Sequence, residues 1–340
     1  MTSPPRLVAR PPHARTTMTA IQPPARPFTD HPGMRRAFPE NRMTLGLIAP
    51  LESFTGDVPS LTDHLELVRQ ADRLGFSALW LRDVPFLVPR QGDAGQVLDP
   101  WAHLGQLAAT TERLALGTAS TVLPLRHPAH TAKAATTVDH LSGGRMLLGV
   151  ATGDRPSEVP AFGLRREDLG DRFRESWEYV RAAGAGTPLP DARPDMELLP
   201  RPPYGRLPML MTGHGRQPLE WIAEQADGWI HPGRMPAELH SAVTQWRALT
   251  EELCGGAAKP VAVGSYLVLH ENPRTAPRKV AQGWSMGREP FLELLKEYER
   301  IGVSQLMLNL RFNERPAREV MHEVAEHLLP HFPPGETSAE

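Results

Sequence analysis

Residues 141–154 of the chain read LSGGRMLLGVATGD, and this stretch decides the fold. The preceding residues, Thr131–His140, place alanine and valine at helical spacing, and Gly143 and Gly144 accept the left-handed conformation that ends a helix. Met146–Ala151 is a nearly continuous apolar run, which is typical of a parallel strand buried on both faces. The stretch therefore predicts a helix, a tight turn and a buried strand, in that order.

The same alternation of strand and helix continues along most of the chain. Eight strands are predicted, and each is followed by a helix or by a loop with room for one. The predicted strands are 44–49, 76–81, 114–122, 146–151, 207–212, 228–230, 261–269 and 305–310, and the predicted helices are 61–74, 100–111, 131–140, 168–183, 218–226, 236–253, 290–301 and 316–329.

Eight alternating strand–helix units predict an α/β fold, namely a single-domain (β/α)8 TIM barrel with insertions. Residues 184–203 are rich in proline and glycine and are expected to form one such insertion. An open, doubly wound sheet is the alternative. Its glycine-rich dinucleotide fingerprint is missing after the first strand, where residues 49–56 read APLESFTG.

The two ends of the chain differ from the barrel, which is predicted to cover residues 43–330. Residues 1–42 are rich in proline and arginine and lack periodicity, so we expect a disordered extension, or a start site placed upstream of one near Met43. The many prolines oppose the amphipathic helix of a transit peptide. Residues 331–340 are expected to form a flexible tail.

Composition narrows the function classes. The net charge of −2 over 340 residues argues against general binding to nucleic acid or to an anionic membrane. A single cysteine, Cys254, allows no internal disulfide and no cysteine-based metal site. No apolar run is long enough to span a membrane and no signal-peptide core is present, so a cytoplasmic location is expected.

In a barrel of this kind, chemistry is carried by the residues just beyond the strands. The loop Thr212–Gln217, reading TGHGRQ, combines small residues with Arg216 before a helix, which favours an anion site, although a plain tight turn explains it equally well. Arg82 and Asp83 are either site residues or an exposed ion pair. His231 is either an acid–base group or a structural histidine. His127 and His130 lack a third ligand, so no metal is expected.

Three segments resemble the bacterial luciferase-like flavin-dependent monooxygenases. They are LVRQADRLGFSALWLRD at 67–83, LALGTASTVLPLRHPAHTAKAATTVDHLSGGRMLLGVATGD at 114–154 and MLMTGHGRQPLEWIAEQADGWI at 209–230. The resemblance covers about residues 43–330. Its most specific part is the middle segment, in which a strand and the dipeptide HP lead to a helix ending in L-S-x-G-R and then to a strand with G-x-x-x-G.

The resemblance implies a cofactor and its contacts. The family binds reduced flavin mononucleotide (FMN), or in one branch a deazaflavin, at the carboxyl ends of the strands. The implied phosphate contacts are Gly213, His214, Gly215, Arg216 and Gln217. Thr152 and Gly153 match another flavin-contacting position. Many members have a non-proline cis peptide under the flavin ring, and Ala119 and Ser120 occupy that place.

Departures from luciferase itself argue against light emission on a long-chain aldehyde. A histidine at the end of the second strand is replaced by Arg82, and an arginine at the end of the fourth strand is replaced by Thr152. Hydroxyl-bearing phosphate ligands correspond to Gly215 and Pro218, which leaves backbone N–H groups, Arg216 and Gln217 to bind the phosphate.

The predicted function is therefore a flavin-dependent monooxygenase that uses reduced FMN and O2 on a small organic substrate. Arg82, Asp83 and His231 are expected to bind substrate or carry protons, and a separate flavin reductase is expected to supply the cofactor. A homodimer is expected, through Leu65, Val68 and the 131–138 helix unless these are ordinary core. The alternatives are a deazaflavin-dependent hydride-transfer enzyme and a non-catalytic flavin-binding protein.

Overall fold

The computed structural model describes residues 28, 30–88, 97–190, 192–193, 195–232, 235–257 and 259–336. Its strands are β1 Thr44–Ile48, β2 Ala78–Leu81, β3 Ala115–Thr118, β4 Thr121–Val122, β5 Met146–Ala151, β6 Met209–Thr212, β7 Gly228–His231, β8 Val261–Leu269, β9 Arg278–Val280, β10 Gly283–Met286 and β11 Gln305–Asn309. Its α-helices are α1 Pro32–Ala37, α2 His64–Leu74, α3 Pro100–Thr110, α4 Pro128–Leu141, α5 Glu158–Ala161, α6 Leu169–Gly184, α7 Leu219–Gln225, α8 Pro236–Cys254, α9 Arg288–Ile301 and α10 Ala317–His327.

The strands form a closed parallel barrel. Its order is β11-β1-β2-β3-β5-β6-β7-β8, and β8 pairs with β11 to complete the circle. Every pairing on this path is parallel, so all eight carboxyl ends lie at the same mouth. The prediction of a (β/α)8 TIM barrel is confirmed.

Two features of the sheet differ from the predictions. The predicted continuous strand 114–122 is divided into β3 and β4, with Ala119-Ser120 between them. The hairpin formed by β9 and β10 was not predicted. The first half of β8 pairs with β11 and its second half, from Tyr266 to Leu269, pairs with β10. Since β8 is longer than β11, its projecting edge needs a partner for its backbone groups, and β10 supplies one.

Alternate residues of the strands fill the inside of the barrel. Trp80 is fully buried there, and its indole Nε1 donates a hydrogen bond of 2.7 Å to Gln305 Oε1 on β11. Gly117 on the neighbouring strand makes this possible, because a Cβ at that position would lie 2.3 Å from Trp80 Cε3. The interior is therefore a packed core below the mouth.

Helix α1 closes the amino-terminal end of the barrel. Met34 and Ala37 pack against interior residues of the strands, and Gly33 N donates to Gly144 O at 3.0 Å. His31 accepts from Met34 N and lies 3.3 Å from Asp139 Oδ1. The predicted disorder of residues 1–42 is therefore wrong for residues 30–42, whereas residues 1–27 and 29 lie outside the described residues. A six-residue helix is too short for a periodic signal, and tertiary packing stabilises it.

The carboxyl-terminal prediction also needs correction. Phe332 is buried, and Gly335 N donates to Arg36 O at 3.1 Å while Arg36 Nη1 donates to Gly335 O at 3.3 Å. Residues 331–336 are thus bound to the α1 segment, and residues 337–340 lie outside the described residues. The prediction of a flexible tail was wrong up to residue 336. Gly335 contacts Arg36, which is about 300 positions earlier in the chain, so no local sequence pattern indicates the contact.

Two buried histidines form a pair between α2 and α3. The Nε2 atoms of His64 and His103 lie 2.7 Å apart. Burial, together with the neighbouring His64, lowers the pKa of His103 to about 4, and burial also lowers the pKa of His64. The folded state therefore favours neutral imidazoles.

The histidine pair makes folding sensitive to mild acid. Above pH 6.5 both rings are neutral in the folded and the unfolded chain. As the pH falls from 6.5 to 4, the unfolded chain gains protons that folded His103 does not, so we expect the free energy of unfolding to fall by at most about 3 kcal/mol. Urea denaturation at pH 7 and pH 4.5 measures this loss. The double variant His64→Leu with His103→Leu should lose less stability between these two pH values than the original chain. The control His140→Leu, at an exposed position, should lose as much as the original chain. Equal losses in all three proteins would contradict the prediction.

Candidate functional site

The carboxyl ends of the barrel strands open into a cavity of about 440 Å³. Its volume is within the range of small-molecule and cofactor sites. Of the site residues predicted from the sequence, all but Arg216 and Gln217 line it: Arg82, Asp83, Ala119, Ser120, Thr152, Gly153, Gly213, His214, Gly215 and His231. A second cavity of about 510 Å³, beside the carboxyl ends of α8 and α9, contains none of them.

The loop after β6 forms one side of the cavity. Gly213 N donates to Ile230 O at 2.9 Å, and Trp229 Nε1 donates to Gly213 O at 2.8 Å, so the loop is held against β7. Gly213 and Gly215 have positive φ, and a Cβ at Gly215 would lie 2.9 Å from Met211 Sδ, whereas Gly213 faces open space. The buried Thr212 hydroxyl makes no hydrogen bond with any described residue. The loop therefore has one buried hydroxyl without a hydrogen bond to the described residues, that of Thr212, next to Gly213, which has free space beside its Cα.

Arg216 and Gln217 point away from the cavity. Arg216 Nη1 donates to Arg166 O at 2.6 Å. Gln217 Oε1 accepts from Arg174 Nη2 at 2.8 Å, and Gln217 Nε2 donates to Gly170 O at 3.2 Å. Both side chains thus brace the loop against α6 and the turn before it. Their role as phosphate contacts stays a prediction, and the geometry gives it no support.

The break between β3 and β4 forms the side of the cavity next to β2. The Ala119-Ser120 peptide is cis, as the family resemblance predicted. Ala119 N donates to Leu81 O at 2.7 Å, and Thr118 Oγ1 donates to Gly149 O at 2.7 Å. Gly153, at the end of β5, has φ 88°, and a Cβ there would lie 2.9 Å from Val122 Cγ1. Small residues and a turned backbone therefore leave little side-chain bulk on this side of the cavity.

Asp83 is ion-paired, but with Arg126 and not with Arg82. Its carboxylate accepts from Arg126 Nε at 3.0 Å and Nη2 at 2.8 Å, and from Val122 N at 3.2 Å. The side chain of Asp83 is buried, so the alternative of an exposed ion pair with Arg82 is wrong. With three donors on its carboxylate, Asp83 holds the mouth of β2 to the segment after β4.

Arg82 directly follows β2 and lines the cavity, two residues after Trp80 and on the same face of the strand. Burial lowers the pKa of its guanidinium; Tyr266 and Asp154 oppose that shift, while Arg311 and Arg155 add to it. Desolvation of the guanidinium is therefore the main influence on the pKa of Arg82 in this position.

His231 is oriented by the alternation of β7. Ile230 faces the barrel interior, so His231 shares the outer face of β7 with Trp229. The two rings pack edge to face, and their centres are 4.6 Å apart. His231 borders the cavity beside this indole. The contact favours the structural interpretation of the histidine over the acid–base one.

Several lining residues were absent from the predicted set, among them Tyr266, Asn309 and Glu158. Tyr266 lies within β8, and the alternation from Ala262 through Gly264 could have placed it inward. Asn309 is the last residue of β11. Glu158 lies on the four-residue helix α5, which has no sequence signal; its side chain is buried, 2.9 Å from Arg155 Nε. Burial, only partly offset by Arg155, raises the pKa of Glu158.

Two kinds of feature are absent from the part of the chain that the structure describes. No cluster of three or more His, Cys, Asp and Glu side chains there has the geometry to hold a metal ion. No helix in the described part of the chain has both the length and the apolarity to cross a membrane.

Comparison with known proteins identifies the family. The model of the luciferase-like monooxygenase family matches residues 43–327, which covers most of the chain and the whole barrel. The chain belongs to this family of oxidoreductases.

Curated relatives match over shorter stretches. An uncharacterised protein of Mycobacterium tuberculosis is 35% identical over 159 residues, covering 42% of this chain and 55% of the relative. The 4-hydroxyprotoasukamycin monooxygenase of Streptomyces nodosus subsp. asukaensis is 32% identical over 142 residues, covering 41% of this chain and 37% of that enzyme. The chain spans about half the length of the curated relatives it matches.

Solved structures share the fold at low identity. Monooxygenase RslO1 from Streptomyces bottropensis has a TM-score of 0.69 and 19% identity, covering 85% of this chain and 100% of that one. The coenzyme F420 dependent tetrahydromethanopterin reductase of Methanopyrus kandleri has a TM-score of 0.68 and 17% identity, covering 86% and 99%. The oxygenating constituent of 3,6-diketocamphane monooxygenase from Pseudomonas putida, in complex with FMN, has a TM-score of 0.66 and 14% identity, covering 85% and 98%.

Proposed function

We propose that this chain is a flavin-dependent monooxygenase that uses reduced FMN and O2 on a small organic substrate. The observation that carries the proposal is the loop after β6, where a buried Thr212 hydroxyl without a partner among the described residues lies beside the open Gly213. A buried hydroxyl without a partner is unfavourable, and a phosphate oxygen would satisfy it. The family and its monooxygenase members support the reaction class.

The residues present fit a flavin. Thr212 and Gly215 would hold the phosphate through one hydroxyl and one backbone N–H group, beside Gly213, whose own N–H already donates to Ile230 O. The side of the cavity formed by Ala119, Ser120, Thr152 and Gly153 would contact the ring system. Reduced flavin, when bound, supplies the electrons with which O2 is activated and one oxygen atom is transferred to the substrate.

The other lining residues would act on the substrate and its protons. Arg82 would bind an electron-rich group of the substrate through its guanidinium. Glu158 lines the cavity with a raised pKa, so its carboxyl group would hold or release a proton nearer neutral pH than an ordinary glutamate. Asp83 and Arg126 would position these groups and would not touch the substrate.

The first test is a titration of the purified chain with FMN and with a deazaflavin, each oxidised and reduced under anaerobic conditions. We expect tight binding of reduced FMN, followed by substrate-dependent O2 consumption with an added flavin reductase. Preference for the deazaflavin would favour the alternative, a hydride-transfer oxidoreductase, which the fold of the F420-dependent reductase supports. Flavin binding without O2 consumption would favour a non-catalytic flavin-binding protein. No binding of any flavin would contradict the proposal.

A single substitution tests the phosphate contact. Thr212→Val keeps the shape of the side chain and removes a hydroxyl that makes no hydrogen bond with the described residues. We expect the affinity for FMN to fall about tenfold, as for one lost hydrogen bond to a charged group, with no loss of stability. Flavin fluorescence measures the affinity and urea denaturation the stability.

Thr244→Val is the matched control, because Thr244 is exposed on α8 and its hydroxyl donates to His240 O at 2.8 Å, far from the cavity. It should leave the affinity for FMN unchanged. Unchanged affinity in Thr212→Val as well would place the phosphate elsewhere.

The partners complete the proposal. A separate flavin reductase would supply the reduced cofactor, and the chain would form a homodimer in the cytoplasm. Val68, Ala132, Ala135 and Val138 are buried in the core of the barrel and Leu65 packs against it, so a dimer would use other residues. Light scattering on the full chain measures the oligomeric state.

A further inference from the structure

The second cavity, of about 510 Å³, lies at the end of the barrel opposite the mouth. It is lined by the turn before β1, by the carboxyl ends of α8 and α9, and by the segments that lead from these helices into β8 and β11. Each of these segments precedes a barrel strand, and parallel strands all begin at the same end of a barrel. The cavity therefore has room for a small molecule that does not enter the mouth.

Two arginines line this cavity without a partner in the part of the chain that the structure describes. Arg247 is exposed on α8, and its guanidinium packs against the turn that ends α9, where a Cβ at Gly302 would overlap with it. Arg42 lines the cavity from the turn before β1. Neither side chain makes a hydrogen bond or an ion pair with a described residue.

Two glutamates of the cavity are in the same situation. Glu251 is four residues after Arg247 on α8, a spacing at which opposite charges usually pair. The pair does not form, because Arg247 turns towards α9 whereas the Glu251 carboxylate lies beside Gly256, beyond the end of α8. Glu40 lines the cavity from the turn before β1, and it too has no hydrogen-bond or ion-pair partner among the described residues.

The other two charged side chains that line the cavity are satisfied. Glu299 Oε1 accepts from Met43 N at 3.0 Å. Lys259 Nζ donates to Ala223 O at 2.5 Å and to Glu224 O at 3.3 Å, at the end of α7. Two guanidinium groups and two carboxylates, on different segments, are therefore left to contact a ligand.

The helix ends give the cavity a direction. The carboxyl end of an α-helix carries a partial negative charge, which a neighbouring cation balances. The end of α9 has Arg247 beside it, whereas the end of α8 has the carboxylate of Glu251 and Gly256 beside it. A cation is thus favoured at the end of α8, and an anion on the side of Arg247 and Arg42.

We propose that this cavity binds a small zwitterion, a molecule with one ammonium and one carboxylate group such as a free amino acid. Its ammonium group would lie at Glu251 and the end of α8, and its carboxylate at Arg247 and Arg42. Each charge of such a ligand forms an ion pair that the side chains of the protein leave open. The inference goes beyond the proposed function and does not depend on flavin binding.

Three probes of equal chain length test this ligand class. The full chain is titrated calorimetrically at low ionic strength with 6-aminohexanoate, which carries both charges, with hexanoate, which lacks the ammonium group, and with hexylamine, which lacks the carboxylate. We expect saturable binding of 6-aminohexanoate, about fivefold tighter than that of either single-charge probe, as for one additional exposed ion pair.

Variants assign each half of the preference to a side chain. Arg247→Met should remove the preference over hexylamine and keep that over hexanoate, and Arg247→Lys should retain part of it. Glu251→Gln should do the reverse. The controls Arg69→Met and Glu66→Gln change an exposed ion pair on α2 and should alter neither preference. Circular dichroism checks that each variant is folded.

Three results would overturn the inference. The first is the absence of saturable binding of 6-aminohexanoate. The second is equal affinity for all three probes. The third is a preference that Arg247→Met and Glu251→Gln leave unchanged, which would assign the binding to another part of the chain.

Discussion

Arg145→Met is expected to lower the free energy of unfolding by about 3–5 kcal/mol, because it leaves several buried carbonyl groups without a donor. Arg145 is 5% exposed. Its Nε donates to Ser142 O and its Nη1 to Leu114 O, both at 2.8 Å. Its Nη2 donates to Thr111 O at 2.8 Å and to Ala108 O at 3.1 Å.

These bonds explain the last residue of the L-S-x-G-R motif. A single guanidinium joins the turn after α4 to the end of α3 and the beginning of β3. Methionine fills a similar volume but donates no hydrogen bond, and each orphaned carbonyl costs about 1–3 kcal/mol before relaxation. The motif therefore stabilises the barrel beneath the cavity and does not itself contact the site.

Urea denaturation measures this loss against two controls. Arg145→Lys keeps the charge but cannot reproduce the planar fork, so it should recover only part of the stability. Arg300→Met removes an arginine whose partner, Glu297, is on the surface, and should leave the free energy of unfolding nearly unchanged. A loss from Arg145→Met no larger than that of Arg300→Met would contradict the assignment.

Asp227→Asn is the second large change, with an expected loss of about 3–5 kcal/mol at pH 7. Asp227 is buried and accepts from Arg181 Nη1 at 2.9 Å, Arg206 Nη1 at 2.7 Å and Met209 N at 2.9 Å. The substitution keeps the shape and removes the negative charge. Arg181 is then left buried beside an amide that cannot balance its charge.

The same carboxylate makes the fold acid-sensitive. Burial alone would raise the pKa of Asp227, but Arg181 and Arg206 outweigh it and lower the pKa below its ordinary value of 3.8. The stabilisation is therefore complete above about pH 4 and is lost as the pH falls further, when the unfolded chain takes up the proton first. The histidine pair acts at higher pH, between 6.5 and 4, so the two effects occur in different pH ranges.

Urea denaturation at pH 7 compares Asp227→Asn with Asp195→Asn. Asp195 pairs with Arg193 on the surface, so its variant should lose little stability. Adding Arg181→Met to Asp227→Asn should restore part of the stability, because it removes the unbalanced cation. A double variant whose loss in the free energy of unfolding exceeds the sum of the losses of the two single variants would contradict the ion-pair explanation.

Together these contacts show how the barrel supports its mouth. Arg145 joins helix and strand below β3 and β5, and Asp227 joins α6, β6 and β7 below the loop with Thr212. Asp83 and Arg126 fix the segment between β2 and α4. These buried charges hold the elements that carry the cavity-lining loops.

The sequence by itself determined the barrel. Period-two and helical patterns, with glycine at the helix ends, are local signals, and they predicted the eight barrel strands with errors of a few residues. The stretch 141–154 was predicted with the boundaries of β5 correct. Most of the candidate site followed from one rule, that chemistry lies beyond the carboxyl ends of parallel strands.

Only the tertiary structure decided which side chains meet. The pairing of Asp83 with Arg126 and the orientation of Arg216 and Gln217 towards α6 depend on contacts between distant segments. Helix α1 and strand β10 are too short for a periodic signal and exist because the barrel offers them an open end and a free edge. Local patterns record which face of an element is apolar, whereas partner choice among charged side chains depends on a three-dimensional geometry that no short window of sequence contains.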